Sequence, residues 1–182
     1  HFPCDLHKVG DVMYDSALYY SCLATQNSKV LSRLSLEGQP YLLCTIHRQE
    51  NTDNQANLES LIHTLNILNK EIRVILPIHP RTRKIMEQHA LKPEFQPIDP
   101  VGYFDILTLL KHCSLVMTDS GGMQKEAYFF GKYCLTLREE TEWTELVDNS
   151  YNRLVGTDAT AIREGVHHFF GKPFADTHRL YG

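Results

Sequence analysis

Short runs of strand-forming residues alternate with longer amphipathic segments along most of the chain. Six runs are strand candidates: Tyr41 to Ile46, Arg73 to Ile78, Phe95 to Ile98, Leu115 to Thr118, Tyr133 to Leu137 and Asn152 to Val155. Between the first two, apolar residues recur at the spacing of a helix face: Leu58, Leu61, Ile62, Leu65 and Leu68. This alternation is typical of a parallel sheet covered by helices. We therefore predict an α/β fold, a three-layer Rossmann-like domain over residues 31–182.

Capping and stop residues place further helix boundaries. Pro80 suits a first helical position, and a helix predicted over Gly122 to Phe130 ends at Gly131. Val9 to Asp15 is predicted to be extended ahead of the first helix, and the tail at residues 181–182 to be unstructured. Both ends look cut from a longer chain.

Composition narrows the class of partner. The formal net charge of −4 and the lack of a Lys/Arg-dense run argue against nucleic acid or an anionic membrane surface. No apolar stretch approaches the roughly 20 residues that span a bilayer, and no signal peptide is evident. The five cysteines are expected to be reduced core residues, and the histidines form no metal-binding motif. We expect a cytoplasmic protein that binds a small ligand and holds no metal or cofactor.

The most informative segment is the turn Thr118-Asp119-Ser120-Gly121-Gly122, which follows the fourth run. Free N–H groups and the positive end of a helix dipole would point out of the carboxyl edge of the sheet. Gly121 and Gly122 let a phosphate approach closely, and the Ser120 hydroxyl can donate a hydrogen bond. Glu126, one turn further on, can accept from the hydroxyls of a ribose. The segment predicts a nucleotide diphosphate and ribose site, the alternative being a glycine-rich turn without a ligand.

A second polar segment follows the first run. His47 suits a proton donor or charge partner for a phosphate-bearing substrate, and Arg48 suits a clamp. The alternative is a solvated loop in which Arg48 pairs with Glu50.

Two further polar segments also follow strand candidates. His79-Pro80-Arg81 comes after the second run, where Arg81 can reach a phosphate or lie in a solvated basic turn. Arg138 comes after the fifth run and can neutralise a diphosphate. All four segments lie at the same predicted sheet edge, where open α/β sheets bind ligands.

These segments carry a family resemblance. In chain order they are His47-Arg48-Gln49-Glu50-Asn51, His79-Pro80-Arg81, Asp119 to Ala127 and Arg138 to Glu142. Together they resemble the bacterial non-hydrolysing UDP-N-acetylglucosamine 2-epimerases, and Val9 to Asp15 resembles the connector between the two domains of that family. The resemblance implies two Rossmann-like domains that face each other as in the glycosyltransferase B fold. It implies that residues 1–30 are the connector and entry helix and that residues 31–182 are the nucleotide-binding second domain, truncated before its final helix.

The resemblance also assigns roles to residues. It implies a diphosphate site at Ser120, Gly121, Gly122 and Arg138, a ribose partner in Glu126 and a uracil site at the backbone of Phe104 to Ile106. It implies a catalytic His47 and a site for the sugar or a regulatory nucleotide at Arg48, Glu50, His79 and Arg81. The implied partners are UDP, a UDP-N-acetylhexosamine and the missing N-terminal domain, within a full-length homodimer.

The implied reaction interconverts UDP-N-acetylglucosamine and UDP-N-acetylmannosamine. The family eliminates UDP to give a 2-acetamidoglucal and adds UDP back with the opposite configuration at C2. The carboxylates expected to move protons lie in the missing domain. We therefore predict that this chain binds UDP without epimerising the sugar.

Two departures from the family pattern bear on the site. Lys125 stands where the family often has Glu and is expected to face solvent. Trp143 and Thr144 replace a common Arg-Pro pair, and Trp143 should alter a loop near the diphosphate. That change is compatible with a modified sugar such as a 2,3-diacetamido uronic acid.

The same sequence features allow two other functions and disfavour a third. A glycosyltransferase of the same two-domain architecture would share the glycine turn and Glu126, although the His47 segment argues against it. A module that senses a nucleotide without chemistry would share them too. A dinucleotide-dependent dehydrogenase is disfavoured because no GxGxxG follows an early strand.

Overall fold

The computed structural model describes His7 and residues 9–182. Five parallel strands form one sheet: β1 (Tyr41–Thr45), β2 (Arg73–Ile75), β3 (Leu115–Thr118), β4 (Cys134–Thr136) and β5 (Asn152–Leu154). The helices are α1 (Val12–Asn27), α2 (Val30–Arg33), α3 (Gln49–Thr52), α4 (Gln55–Asn69), α5 (Pro80–Gln88), α6 (Tyr103–His112), α7 (Gly121–Phe129), α8 (Thr144–Asp148) and α9 (Ala159–Phe169). The strand order is β2-β1-β3-β4-β5. The predicted α/β class and parallel sheet are confirmed.

Helices cover both faces of the sheet and make three layers. Leu42 and Cys44 of β1 face a core shared with α4 and α9. Tyr41 and Leu43 face the opposite core, which is shared with α6 and α7. Because both faces are covered, the central strands are continuous apolar runs rather than alternating ones.

The predicted strand at Phe95 to Ile98 is wrong as a strand. The structure has only an isolated parallel bridge between Pro77 and Ile98 there. The N–H of Ile78 donates to the Ile98 carbonyl, and the N–H of Ile98 donates to the Leu76 carbonyl, both at 3.0 Å. Proline has no N–H to donate to a ladder, so Pro77 and Pro97 limit the pairing to these two bonds.

The predicted extended segment at Val9 to Asp15 is correct only up to Asp11, which is extended, because α1 begins at Val12. The Asp11 carboxylate caps that helix by accepting from the N–H of Met13 at 2.8 Å. α1 then packs against α6 and α7. The capping aspartate before Val12 is a helix start signal that the pattern of apolar residues does not show.

The tail beyond α9 is packed, so the prediction that residues 181–182 are unstructured is wrong. The Tyr181 ring lies edge-on to the rings of Tyr128 and Phe129, with centroids 5.4 and 5.5 Å away. Its hydroxyl donates to Glu145 at 2.5 Å. The expected helix stop at Gly131 is confirmed, with φ at +64°.

The cysteines only partly match the expected core positions. Cys44, Cys113 and Cys134 are buried, and burial raises the pKa of the Cys113 thiol to about 12. Cys22 is exposed, so its core assignment is wrong. Cys4 lies outside the described residues. No helix within residues 9–182 is both long and apolar enough to cross a membrane.

Candidate functional site

The strand order creates a crevice between β1 and β3. From β1 the chain continues to β2 on one side of the sheet, and from β3 it continues to β4 on the other side. The gap between β1 and β3 is therefore a topological switch point, where open α/β sheets bind ligands. His47 follows β1 and Ser120 follows β3. Both line a cleft of about 400 Å³, together with His79, Tyr103 and Ile106. The structure thus brings together residues that are up to 73 positions apart.

The glycine turn is the start of α7. Ser120 caps the helix, and its hydroxyl oxygen accepts from the N–H of Met123 at 3.4 Å. The N–H groups of Gly121 and Gly122 have no acceptor within the helix, and they lie at its positive end. The Ser120 hydroxyl proton and these two N–H groups are the donors that the predicted anion site requires.

Glu126 lies one turn further along α7 and is partly buried. The Tyr103 hydroxyl donates to its Oε1 at 2.9 Å. Burial raises the pKa of the Glu126 carboxyl, and the bond from Tyr103 offsets part of that rise. Because Tyr103 also lines the cleft, it links Glu126 to the ligand side of α6. Oε2 of Glu126 has no hydrogen-bond donor among the described residues and is suited to a sugar hydroxyl.

Asp119 organises the loop that carries His47. Its carboxylate is fully buried and accepts from the backbone N–H groups of His47 and Arg48, each at 3.0 Å. It also accepts from the Asn51 amide at 3.1 Å and faces Nδ1 of His47 at 3.2 Å. The turn motif by itself predicts no role for Asp119. A carboxylate directly after a buried strand was the available signal.

Arg138 lies beside the glycine turn, as expected. Its Nη1 contacts Glu142 Oε2 at 2.7 Å, and its Nε is buried with no hydrogen-bond partner in residues 9–182. A methyl group added at Gly121 would collide with the Glu142 carboxylate. The backbone N–H of Glu142 lowers the pKa of that carboxyl, burial opposes this, and Arg138 and Arg48 add to the lowering. A carboxylate therefore already lies against the predicted anion site.

Of the four residues predicted at the sugar or regulatory nucleotide site, His79 lines the cleft, whereas Arg48, Glu50 and Arg81 are not among its lining residues. His79 also caps α5 through an Nδ1 that accepts from the N–H of Arg81 at 3.2 Å. The Arg81 guanidinium forms two 2.8 Å bonds with Asp53 instead of reaching the cleft. Arg48 is partly buried and Glu50 is exposed. The described ion pairs do not include one between Arg48 and Glu50.

The predicted uracil segment is the first turn of α6. Ile106 lines the cleft, whereas the Phe104 ring lies 6.3 Å from that of Tyr20. The N–H of Ile106 is bonded to the Gly102 carbonyl at 3.0 Å. Within the first turn of α6, the N–H groups that precede Ile106 have no acceptor in the helix, and these are the backbone donors left for a uracil.

Lys125 does not face solvent, so that prediction is wrong. Its side chain is 5% exposed and pairs with Asp11. The ammonium lies 4.3 Å from the centre of the Trp143 ring and 4.8 Å from that of Tyr181. Trp143 in turn donates from Nε1 to the Gly121 carbonyl at 2.9 Å, so it contacts the glycine turn. That it alters a loop near a bound diphosphate stays a prediction. A lysine stem can cover apolar surface while its charge is paired, a possibility that spacing alone does not reveal.

The chain is similar to several 2-epimerases. The family model described as UDP-N-acetylglucosamine 2-epimerase matches residues 3–182. The UDP-2,3-diacetamido-2,3-dideoxy-D-glucuronate 2-epimerase of Pseudomonas aeruginosa is 47% identical over 177 residues, which cover 96% of this chain and 48% of that protein. A UDP-N-acetylglucosamine 2-epimerase homolog of Methanococcus maripaludis is 41% identical over 180 residues, covering 95% and 49%.

The fold also matches a solved structure. The crystal structure of Methanocaldococcus jannaschii UDP-GlcNAc 2-epimerase in complex with UDP-GlcNAc and UDP has a TM-score of 0.81 at 32% identity, covering 92% of this chain and 50% of that one. The chain therefore spans about half the length of the relatives it matches. Its fold is one Rossmann-like half of a glycosyltransferase B-type architecture. The predicted family resemblance is confirmed: the chain belongs to the UDP-N-acetylglucosamine 2-epimerase family.

Proposed function

We propose that this chain is the UDP-binding half of a UDP-N-acetylglucosamine 2-epimerase, which interconverts UDP-N-acetylglucosamine and UDP-N-acetylmannosamine. One observation carries the proposal: the glycine turn at the start of α7 and His47 lie at the same β1–β3 crevice. The turn offers N–H groups to a diphosphate, and Glu126 lies one turn away for the ribose. The homodimer and the cytoplasmic location expected from the sequence stay predictions.

The proposed reaction needs strong stabilisation of a leaving diphosphate. The C2 proton of the sugar is not adjacent to a carbonyl, so it leaves together with UDP. A base takes that proton, the electron pair forms the C1–C2 double bond of a 2-acetamidoglucal, and the C1–O bond breaks to release UDP. UDP then adds back to C1 while a proton reaches the opposite face of C2.

In this proposal, the present half of the protein binds and stabilises the leaving diphosphate. The α7 amides, Ser120 and Arg138 would bind the diphosphate as its charge grows, and preorganised donors of this kind stabilise such charge effectively. His47 would exchange a proton or supply positive charge at the same phosphates. The groups that move the C2 proton are proposed to lie in the other half of the protein.

A second candidate substrate is a UDP-2,3-diacetamido uronic acid. Two observations favour it: the 47% identity to the Pseudomonas aeruginosa enzyme that acts on such a sugar, and Trp143 at the glycine turn. A turnover assay of the complete protein with both UDP-sugars separates the two candidates. UDP release to an acceptor in that assay would instead indicate a glycosyltransferase.

Calorimetric titration of the 182-residue chain with UDP tests the binding proposal. We expect UDP to bind and NAD not to bind. Glu126→Ala and Ser120→Ala should each weaken UDP binding by about tenfold, the cost of a hydrogen bond to a charged or sugar group.

Gly122→Ala supplies a variant that separates binding from stability. The nearest side-chain atom to an added methyl is Met13 Cε at 3.9 Å, so the helix has room for it. Alanine should stabilise α7 slightly, by up to about 1 kcal/mol, while the methyl obstructs the diphosphate. Unchanged UDP affinity in this variant and in Glu126→Ala would exclude the proposed site.

A further inference from the structure

The Asp119 carboxylate has more partners than an anchor for the His47 loop requires. Oδ2 accepts from the N–H groups of His47 and Arg48 and from the Asn51 amide, at 3.0, 3.0 and 3.1 Å. Oδ1 accepts from the N–H of His47 at 3.2 Å and also faces Nδ1 of the same residue at 3.2 Å. The loop is already held through Oδ2, so the contact between Oδ1 and the ring is an additional feature.

An ionised carboxylate can only accept hydrogen bonds. A neutral imidazole with a bare Nδ1 would hold a lone pair 3.2 Å from that oxygen, so the carboxylate favours the tautomer that carries its proton on Nδ1. The His47 side chain is about half exposed, and His47 lines the cleft together with Ser120. Nε2 is left without the proton and is directed away from Asp119.

We propose that Asp119 is a positioning residue that fixes the Nδ1–H tautomer of His47, so that Nε2 is the nitrogen that exchanges protons in the cleft. The same carboxylate stabilises the imidazolium when Nε2 is protonated, and Nε2–H then donates to the phosphate. In Ser-His-Asp hydrolases a buried aspartate acts on a histidine in the same way. This inference rests on the proposed function for the identity of the phosphate, but the tautomer itself does not depend on it.

Nitrogen NMR of the ¹⁵N-labelled chain tests the tautomer directly. The His47 ring signals are assigned by their loss in His47→Gln. In the neutral wild-type ring we expect a protonated Nδ1 and a bare Nε2. In Asp119→Asn the new amide can donate to Nδ1, so the proton should move to Nε2. Asn51→Ala is the matched control, because it removes another bond to the same carboxylate and should leave the Nδ1–H tautomer in place.

A wild-type ring that carries its proton on Nε2 would overturn the proposal, as would an unchanged tautomer in folded Asp119→Asn. If Asp119→Asn does not fold, the wild-type and Asn51→Ala spectra still show which nitrogen of the His47 ring carries the proton. In the complete protein, Asp119→Asn should lower kcat by about 10²- to 10⁴-fold with a much smaller change in KM, as for loss of a proton-transfer group. An equal loss in UDP binding would mean that Asp119 only holds the loop. UDP titration of wild type tests the proposed function separately.

Discussion

At the scale of single residues, Lys125 joins three parts of the chain that are distant in sequence. Its ammonium pairs with the Asp11 carboxylate that caps α1 and lies over the rings of Trp143 and Tyr181. Lys125→Met keeps the length of the side chain but leaves Asp11 without its counter-charge. We expect urea denaturation to show a loss of about 1–3 kcal/mol in the free energy of unfolding, less than for a fully buried pair because Asp11 is partly exposed.

The free energy of unfolding should depend on pH through the same Asp11–Lys125 pair. Burial alone would raise the pKa of Asp11, but the Lys125 ammonium and the N–H groups of Met13 and Tyr14 lower it overall. A lowered folded pKa adds stability above the unfolded pKa of about 4, and this is lost as the pH falls through the folded pKa. That loss on acidification should shrink in Lys125→Met. Lys92→Met, an exposed control, should change neither quantity.

A substitution at Glu142 tests how a nearby negative charge affects binding at the proposed anion site. Its carboxylate pairs with Arg138 and lies against Gly121, where the diphosphate is proposed to bind. Glu142→Gln removes a negative charge that a diphosphate would meet and frees Arg138. We expect the variant to bind UDP up to about fivefold more tightly, the range of one partly exposed ion pair. Calorimetry with UDP and with inorganic pyrophosphate measures the change.

Glu140→Gln is the matched control for that variant. It makes the same charge change two residues away, at an exposed position of the same loop. Its affinity should stay near that of wild type. Weaker UDP binding by Glu142→Gln would show instead that Glu142 holds Arg138 in its binding position.

At the scale of elements, the close packing of α9 on β4 can be tested. A methyl group added at Gly165 would lie 2.7 Å from Leu135 Cδ2 in the buried core. Alanine in a helix is normally more stable than glycine by about 1 kcal/mol, but overpacking a core costs about 1–3 kcal/mol. We expect Gly165→Ala to lower the free energy of unfolding by about 1 kcal/mol.

Urea denaturation of Gly165→Ala beside Arg163→Ala, at an exposed position of α9, provides the comparison. Arginine and alanine have similar helix propensities, so the control should be close to neutral. A more stable Gly165→Ala would mean that Leu135 moves aside without cost.

Elements were predictable from sequence where one physical signal dominated. β1 and β3 are apolar because both faces are covered, and α5 begins at a proline. The failures came where a local rule competed with the pattern. Pro97 reduced the expected strand at Phe95 to Ile98 to one bridge, and the Asp11 cap began α1 earlier than the pattern suggested.

At the scale of the whole molecule, the chain should bind UDP and yet fail to epimerise the sugar. It spans about half the length of its relatives, and the groups that move the C2 proton are proposed to lie in the other half. Proton NMR of UDP-N-acetylglucosamine incubated in D₂O with the chain measures both the epimer and exchange at C2. We expect neither, while the complete protein should show both. Turnover by this chain alone would place the proton-moving groups within it.

The sequence by itself determined the fold class, the family and the sheet edge at which the polar segments gather. Apolar runs, glycines and the order of polar segments are local signals that do not require knowledge of contacts. Only the tertiary structure decided which polar groups meet: Asp119 with His47, Tyr103 with Glu126, Glu142 with Arg138 and Lys125 with Asp11. Except for Arg138 and Glu142, which lie four residues apart in one loop, the partners come from separate elements or turns, and the three-dimensional packing of the chain sets their distances and charge balance.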